Sequence, residues 1–323
     1  MARFVVRRVL WAAFLFVVAT LVTFLIFYVI PSNRAGHKAD YAAPPGFVHH
    51  IDHMLHLDLP LYQQYWLFLW NIVRHLSLGY SFETGASVRW IIARDAPVTA
   101  SLVLGGAVMW LLVSIPLGIV SALRPRSLVD RAGMAFVLVG ASAPAVWTSL
   151  ILAYVFGFRL GWTPIADYCD FFASPTPGCH GPGQWAYHLL LPWTTFMLAF
   201  AALYVRLVRA SVLETLAEDY VRTARAKGAS ATRVLTRHVL RNSLTPVATI
   251  LGMDIGLAVG AALFTESVFN LPGLGQELVT AALDDDRPLV VGIVICTTVA
   301  VIVFNVLVDV AYAWLDPRVR LAA

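Results

Sequence analysis

Six long apolar runs, separated by polar or amphipathic segments, constrain this chain more than any other feature of its sequence. They cover residues 9–30, 99–123, 132–156, 189–207, 246–269 and 289–314. A helix needs roughly 20 apolar residues to cross the hydrocarbon core of a bilayer, because each residue adds about 1.5 Å along the helix axis. The runs therefore predict an all-α, polytopic membrane protein with about six transmembrane helices.

The composition of the 323-residue chain supports this interpretation. Hydrophobic residues make up 59% of the chain and charged residues only 13%, and the mean hydropathy is +0.74. Soluble domains contain about 25% charged residues, so this chain has too few charges to cover a surface in water. The net charge of +4 does not indicate nucleic-acid binding, because the basic residues flank apolar runs instead of grouping with aromatic side chains that stack on bases.

The positions of the basic residues predict the side of the membrane on which each loop lies. Most of the 23 lysines and arginines lie in the N-terminal tail, in segment 124–131, in the tract 206–241 and in the C-terminal tail. Short loops rich in lysine and arginine remain in the cytoplasm. Both termini and the tract are therefore predicted to be cytoplasmic, and the loop that contains Cys169 and Cys179 to be extracytoplasmic.

The apolar pattern divides the chain into three parts. Residues 1–30 are predicted to form the N-terminal tail and first transmembrane helix, residues 31–98 an extracytoplasmic amphipathic insertion, and residues 99–323 a core of five transmembrane helices with a cytoplasmic loop at about 210–245. Within the insertion, Leu61, Tyr65, Phe68 and Leu69 recur at helical spacing. This face is expected to lie along the membrane surface or to pack on the helix bundle.

Three prolines fall within the apolar runs. Pro116 and Pro144 are expected to kink or break their helices. Pro192 lies near the start of its run, so we expect it in the first helical turn, where a missing N–H has no consequence.

The polar tract from Glu218 to Pro246 is far longer than the 2–8 residues that usually connect two helices. Helical periodicity on both sides of Gly228 predicts two short helices with a break between them. Gly228 is suited to the left-handed conformation that ends a helix, and Ser230 to the N-cap of the next. Retention of positive charge in the cytoplasm explains the charge of this tract but not its length.

No catalytic motif is present in the sequence: HExxH, GxSxG and a glycine-rich phosphate loop ending in GK[ST] are all absent. An intramembrane enzyme would need such a nucleophile or metal site. The chain is therefore interpreted as a non-catalytic membrane protein. If it moves a solute against a gradient, it must take its energy from an ion gradient or from a partner protein.

Histidines and cysteines offer two weaker candidates. His49, His53 and His56 share one face if their segment is helical, a spacing that can hold a metal ion, although an exposed amphipathic segment explains them equally. Cys169 and Cys179 form a disulfide if their loop faces an oxidising compartment, and are otherwise two free thiols.

The fifth apolar run contains a carboxylate and a row of small residues. Asp254 lies well inside this run, where an unpaired charge is costly, so it is expected to line a solute pathway or to form a structural hydrogen bond within the bundle. Gly256 and Gly260, with Gly252, form a strip that another helix can approach closely, and Asp254, Gly256 and Gly260 are the candidate residues of a translocation path. Glu266, nearer the end of the run, is expected to have a structural role such as capping.

Four segments resemble the inner-membrane permease subunits of ABC importers, specifically the dipeptide, oligopeptide and nickel branch. They are LDLPLYQQYWLFLWNIVRHLSLGYSF, DYVRTARAKGASATRVLTRHVLRNSLTP, TESVFNLPGLG and LVDVAYAWLDPRVR, and they occur in the order typical of the family. The second and third segments together are highly specific. The resemblance covers nearly the whole chain and implies the type I ABC-importer permease fold.

The resemblance also implies a site for coupling to an ATPase. In the family, the cytoplasmic hairpin carries the EAA loop, whose short coupling helices dock into grooves on the ATPase subunits. Aligned on Gly228, residues 222–224 (Arg-Thr-Ala) stand where the general motif has Glu-Ala-Ala. His238, Leu240 and Arg241 stand where it has Ile, Leu and Pro, a departure that is similar to the peptide-importer variant.

The residues that the resemblance assigns to ATPase coupling are Asp219, Tyr220, Arg222, Thr223, Ala224, Arg225, Gly228, Ala229, Arg233, His238 and Leu240. It further implies a bacterial plasma-membrane protein that works with a second homologous permease, two ATP-binding subunits and an extracytoplasmic solute-binding protein. No cofactor is expected in this chain, since ATP and Mg²⁺ belong to the partner ATPases. Peptides are the expected solute; a nickel or chelated-metal importer is the alternative, and a secondary transporter driven by an ion gradient is less favoured.

Overall fold

A computed structural model describes residues 2–26, 59–75, 77–172, 179 and 181–315. Its helices are α1 (Ala2–Phe24), α2 (Leu61–His75), α3 (Val88–Leu123), α4 (Leu128–Ser142), α5 (Ala145–Leu152), α6 (Pro182–Ala217), α7 (Asp219–Ala226), α8 (Ala231–Arg233), α9 (Leu240–Ser243), α10 (Thr245–Phe269), α11 (Leu274–Leu283) and α12 (Arg287–Leu315). Two π-helical segments, π1 (Ala153–Arg159) and π2 (Val234–Val239), continue α5 and connect α8 to α9. Strands are absent from the part of the chain that the structure describes, so the predicted all-α class is confirmed.

Five of the described helices are long and apolar enough to cross a membrane: α1, α3, α6, α10 and α12. The arms α4 and α5–π1 form a sixth span if they are counted together, and they meet at an angle of 107°. Pro144 causes this bend, because it lacks an N–H and forces Ala143 into an extended conformation with φ −97° and ψ 123°. The prediction of about six spans is confirmed, with a sharp bend where a kink or break was expected.

Among the described residues, the larger compact unit comprises 2–6, 95–172, 179, 181–277 and 303–315. Its centre is α6, which packs against α4, α5 and α10. The largest side chains of this core include Trp110, Phe196 and Tyr204, all of which are buried. Trp110 stacks on Phe200 with ring centroids 4.6 Å apart. Aromatic rings from α3 and α6 therefore fill the interior of this unit.

Among the described residues, the smaller unit comprises 7–26, 59–75, 77–94 and 278–302. Here α2 packs on α1: the Tyr65 hydroxyl lies 3.1 Å from Oγ1 of Thr20, and the rings of Tyr65 and Phe68 lie 5.5 and 5.7 Å from the ring of Phe24. Of the two expectations for this amphipathic face, packing on another helix therefore holds for Tyr65 and Phe68. Leu61 remains largely exposed.

Several helices extend beyond the predicted apolar runs, and in two of them the earlier start places a proline inside the helix. Helix α3 begins at Val88, well before the predicted start at residue 99, and it runs through Pro97, whose neighbours Asp95 and Val98 are buried. Helix α6 begins at Pro182, so Pro192 lies inside the helix and the first-turn prediction for Pro192 is wrong.

The histidine prediction (His49, His53 and His56) lies outside the described residues. The division of the chain at residues 30 and 98 remains a prediction.

Candidate functional site

The polar tract between α6 and α10 folds as a helical hairpin, the 218–244 hairpin. Its first helix, α7, ends in a Schellman motif: the amide of Gly228 donates to the carbonyl of Arg225 at 2.9 Å, and the amide of Ala229 donates to the carbonyl of Ala224 at 3.1 Å. Gly228 has a φ of +82°, a left-handed conformation that costs glycine little because it has no Cβ. The predicted helix end at Gly228 is confirmed.

The second half of the hairpin begins at Ser230, as predicted. The Ser230 hydroxyl accepts a hydrogen bond from the amide of Arg233 at 3.4 Å and so satisfies one free amide at the start of α8. The chain then widens into π2 before α9. Nothing in the sequence signals this π-helical turn.

Apolar side chains anchor the hairpin. Val221 and Ala224 of α7 are buried, as are Val234 and Val239 of π2, and α7 packs against both α6 and π2. Val221 and Ala224 are three residues apart and therefore lie on the same face of α7. Of these anchors, only Ala224 is among the predicted coupling residues, although helical spacing is a signal for the pair Val221 and Ala224.

Tyr220 adds a polar connection between the two halves. Its hydroxyl accepts a hydrogen bond from Nδ2 of Asn242 at 2.8 Å and donates to the carbonyl oxygen of His238 at 3.5 Å. The hairpin is thus closed by hydrogen bonds as well as by apolar packing.

The predicted coupling residues separate by exposure. Those exposed to solvent are Asp219, Tyr220, Arg222, Thr223, Arg225, Gly228 and Arg233; Ala229, His238 and Leu240 are half-buried, and Ala224 is buried. Asp219 and Arg222 form an exposed ion pair at 3.6 Å, which contributes little to stability. The charged groups of the hairpin therefore face outward and remain accessible to another protein.

An ion pair between Arg209 and Asp130 joins α6 to α4 near the end of α6 that leads into the hairpin. Nε of Arg209 lies 2.9 Å from Oδ1 of Asp130, and Nη2 lies 3.2 Å from Oδ2. The same carboxylate accepts hydrogen bonds from the Ser121 hydroxyl and, at 2.9 Å, from the amide of Arg126. Helices α3, α4 and α6 are joined in this way. In the sequence, Arg126 and Arg209 belong to basic segments that indicate only topology, and no local pattern predicts that they contact Asp130.

The structure gives Asp254 a partner within the bundle. The buried Asp254 carboxylate accepts a hydrogen bond from the hydroxyl of buried Tyr204 at 2.8 Å. Of the two interpretations of Asp254, the structural hydrogen bond is therefore the one with a visible contact.

The three glycines of α10 do not share a surface with Asp254. A separation of two residues turns a helix by about 200°, which places Asp254 on the side opposite Gly252 and Gly256. A Cβ at Gly252 would lie 2.7 Å from Cγ1 of Val308, so close helix packing explains this glycine. Gly256 is half-buried, and Gly260 is exposed with open space around it. The translocation path remains a prediction.

Glu266 organises the turn that follows α10. This side chain is fully buried, and its carboxylate accepts hydrogen bonds from the Thr99 hydroxyl at 2.6 Å and from the amides of Gly275 and Gln276 at 2.7 and 3.2 Å. The two amides belong to the first turn of α11, where backbone N–H groups lack partners within the helix. Glu266 is therefore the capping residue that the sequence indicated, although it is buried and not in contact with water.

The glycines of the segment TESVFNLPGLG fit around this carboxylate. A Cβ at Gly275 would lie 2.8 Å from Oε2 of Glu266, closer than real Cβ atoms approach. Asn270 takes the left-handed conformation, with φ +50°, that ends α10. The segment is thus a turn built around one buried acid.

At the opposite end of α6 from the hairpin, Cys169 and Cys179 form a disulfide with their Cα atoms 5.1 Å apart. Of the two alternatives for this pair, the structure therefore contains the bonded one.

Comparison with known proteins identifies the family to which the chain belongs. The model of a family described as "Binding-protein-dependent transport system inner membrane component" matches residues 114–321, and the model of the N-terminal region of such membrane components matches residues 1–103. The chain belongs to this family. It is a multi-pass protein of the inner membrane and a transport permease subunit.

Curated relatives align with this permease over 99% of its length. A putative peptide transport system permease protein of Brucella abortus is 36% identical over 320 residues and is covered to 99%. A probable peptide ABC transporter permease protein of Sinorhizobium fredii is 31% identical and fully covered. The glutathione transport system permease protein GsiC of Escherichia coli is 34% identical and is covered to 99%.

Solved structures support the fold of this permease. An inward-facing structure of the MetNI methionine ABC transporter aligns with a TM-score of 0.56 at 14% identity, over 70% of this chain and 97% of the other. A second crystal form gives a TM-score of 0.53 at 16% identity. The predicted type I ABC-importer permease fold is confirmed.

Proposed function

We propose that this permease is the membrane subunit of an ATP-driven importer that takes up peptides delivered by an extracytoplasmic solute-binding protein. The names of the relatives support the solute class, since two are described as peptide permeases and the third carries glutathione, which is itself a short peptide. The family description supports dependence on a binding protein.

The observation that carries the proposal is the 218–244 hairpin. It presents charged side chains on a short helix whose opposite face is anchored by Val221 and Ala224. A surface of this kind can bind a partner without unfolding, because the anchors hold the helix in place while its outer face remains accessible. We assign this hairpin to the cytoplasm and to contact with an ATPase subunit.

The connection between the hairpin and the bundle suits the transmission of movement. Only Glu218 separates the end of α6 at Ala217 from the start of α7 at Asp219. A displacement of α7 by a closing ATPase would therefore act directly on α6. The Arg209–Asp130 pair would pass it on to α4, and the Ser121 hydroxyl bonded to the same carboxylate would pass it on to α3.

In this mechanism the chain itself binds no cofactor. ATP and Mg²⁺ are held by two partner ATP-binding subunits, and a second homologous permease completes the pathway. ATP binding closes the ATPases, and the hairpin transfers this closure to the spans, which change from inward-open to outward-open. The energy comes from contacts that ATP makes in the partner, and the hairpin couples it to the membrane.

A charge reversal on the hairpin tests the proposal. In complexes reconstituted with the ATPase and binding-protein subunits, Arg225→Glu should lower peptide-stimulated ATP hydrolysis about tenfold, because a loss of roughly 1.4 kcal/mol at the contact corresponds to a factor of ten. The matched control is Arg159→Glu, an exposed arginine at the far end of the bundle. Full stimulation in the Arg225→Glu complex would contradict the assignment of the hairpin.

The same complexes distinguish the alternative solute. A nickel or chelated-metal importer, suggested by the histidine-rich segment, would respond to metal chelates and not to di- or oligopeptides. Stimulation of ATP hydrolysis by a peptide-loaded binding protein supports the peptide proposal. Transport without any ATPase subunit would instead indicate a secondary transporter.

A further inference from the structure

A cluster of three metal-ligand side chains lies at the end of α6 that is remote from the hairpin. Cys169 is buried, and Cys179 and His188 are half-buried. The two sulfur atoms and one ring nitrogen of His188 all lie within 4.8 Å of one another. In this structure the sulfurs are joined as a disulfide. The proposed import mechanism makes no use of these residues.

The ring of His188 is oriented as in a metal-binding histidine. Its Nδ1 lies 2.9 Å from the carbonyl oxygen of Gln184, one helical turn earlier. Because a carbonyl oxygen only accepts hydrogen bonds, Nδ1 carries the proton and Nε2 presents a lone pair. Nε2 is the nitrogen that faces the sulfur of Cys169, at 3.6 Å. Metal-ligating histidines are typically fixed in this way by a carbonyl or carboxylate on the other nitrogen.

The distance between this nitrogen and sulfur fits a tetrahedral zinc site. Zn–S bonds of about 2.3 Å and Zn–N bonds of about 2.0–2.1 Å give a sulfur-to-nitrogen edge of about 3.5–3.6 Å. The observed distance from Cys169 Sγ to His188 Nε2 is 3.6 Å. The sulfur-to-sulfur edge of such a tetrahedron is about 3.8 Å, so the two sulfurs have to separate before they can bind a metal.

We propose that Cys169, Cys179 and His188 form a redox-gated zinc site. In the oxidised state the disulfide uses both sulfurs, and zinc is excluded. A dithiol reductant transfers two electrons and two protons to the disulfide, which becomes two thiols while the reductant becomes its own disulfide. Zn²⁺ then binds both sulfurs as thiolates with release of two protons, His188 supplies the third ligand, and water takes the fourth position.

The two states would constrain the loop before α6 differently. The disulfide closes only the segment 169–179, whereas zinc would also tie this segment to α6 through His188. The loop is already held near α6, because the Tyr187 hydroxyl donates to the carbonyl of Trp162 at 2.9 Å and the rings of Phe171 and Trp185 lie 5.2 Å apart. Zinc binding would therefore require little rearrangement beyond the separation of the two sulfurs.

Metal content of the purified full-length chain tests this proposal. The background variant carries Cys296→Ser and glutamine at histidines 49, 50, 53 and 56, so that competing ligands in those positions are removed. Samples are oxidised, or reduced with a phosphine, then incubated with zinc and desalted, and zinc per chain is measured by mass spectrometry. We expect one additional zinc per chain in the reduced sample. Reduced samples loaded with cobalt should show sulfur-to-cobalt charge-transfer absorption.

Variants at the ligands identify the site. Cys169→Ser and Cys179→Ser should each abolish the additional zinc, and His188→Gln should weaken zinc binding at least about tenfold, since even loss of a residue that only orients a ligand costs 10- to 100-fold. His75→Gln, at an exposed position at the end of α2, should bind zinc as the background does. If oxidised His188→Gln melts at the same temperature as the oxidised background variant, its weaker zinc binding is not caused by misfolding.

Three results would overturn the proposal: equal zinc in oxidised and reduced samples, no zinc in the reduced sample, or undiminished affinity in His188→Gln. None of these measurements depends on which solute the permease carries, so the zinc site and the peptide proposal can fail independently.

Discussion

The 218–244 hairpin and the turn at residues 266–276 lie at opposite ends of α10, and they use charge in opposite ways. In the hairpin, charged groups such as Arg222 and Arg225 are exposed while the buried anchors are apolar. In the turn, the carboxylate of Glu266 is fully buried and accepts three hydrogen bonds. An exposed charge is available to a partner, whereas a buried, fully bonded charge is committed to the fold. Substitutions in the two regions should therefore affect different properties.

The largest effect on stability is expected in the turn. Glu266→Ala should lower the free energy of unfolding in detergent by about 3 kcal/mol, because the amides of Gly275 and Gln276 and the Thr99 hydroxyl lose a charged acceptor. Thermal unfolding followed by circular dichroism measures the change. Glu266→Gln keeps one acceptor oxygen and should lose less.

Glu214→Ala is the matched control for this substitution, since Glu214 is an exposed acid on α6. Equal melting temperatures for the Glu266→Ala and Glu214→Ala proteins would mean that the buried carboxylate does not stabilise the turn, and the contrast between the two regions would disappear.

The second prediction compares valine substitutions at two glycines, which should cost similar stability but differ in their effect on ATP hydrolysis. Gly228 and Gly161 both have positive φ, +82° and +64°, and a Cβ at either would meet nothing within 4 Å. Valine at each position should therefore cost a similar ~1–2 kcal/mol of backbone strain. Only Gly228→Val distorts the hairpin, so it should lower peptide-stimulated ATP hydrolysis while Gly161→Val leaves the hydrolysis rate near that of the wild type. Membrane insertion should be intact in both.

These two variants have similar backbone strain and differ in whether the strained residue lies in the hairpin. Equal hydrolysis rates for the Gly228→Val and Gly161→Val complexes would show that the shape of the hairpin is irrelevant to coupling.

The smallest effect is expected at the N-cap of α8. Ser230→Ala removes one hydrogen bond, at 3.4 Å, to the amide of Arg233 and should cost about 0.5–1 kcal/mol. Ser267→Ala, at an exposed position within α10, is the control. Thermal unfolding and ATP hydrolysis are measured together. A tenfold fall in hydrolysis for Ser230→Ala would mean that the hydroxyl itself contacts the ATPase and is more than a cap.

Features with a local signal were predictable from the sequence. The apolar runs gave the membrane spans, because length and hydropathy are properties of contiguous residues. The break at Gly228 and the cap at Ser230 followed from conformational preferences of single residues. The disruption at Pro144 was expected for the same reason, although its angle of 107° depends on packing.

Features that depend on distant residues were not predictable. Arg209 pairs with Asp130, Tyr204 with Asp254 and Thr99 with Glu266, and each pair joins two different helices. In none of these three pairs does the local sequence around one residue indicate its partner. The early starts of α3 and α6 have the same origin, since tertiary packing overrides the local breaks that proline and loop composition suggest.

The bend at Pro144 has a consequence for biosynthesis. The first arm, α4, has 15 residues, and α5 has 8 residues followed by 7 in π1, so each arm rises only about 20–23 Å. The hydrocarbon core is about 30 Å thick, and neither arm crosses it alone. Since both arms pack on α6, this pair reaches its final depth only after α6 has been synthesised. The ribosome must therefore complete α6 before the two arms settle in the bilayer.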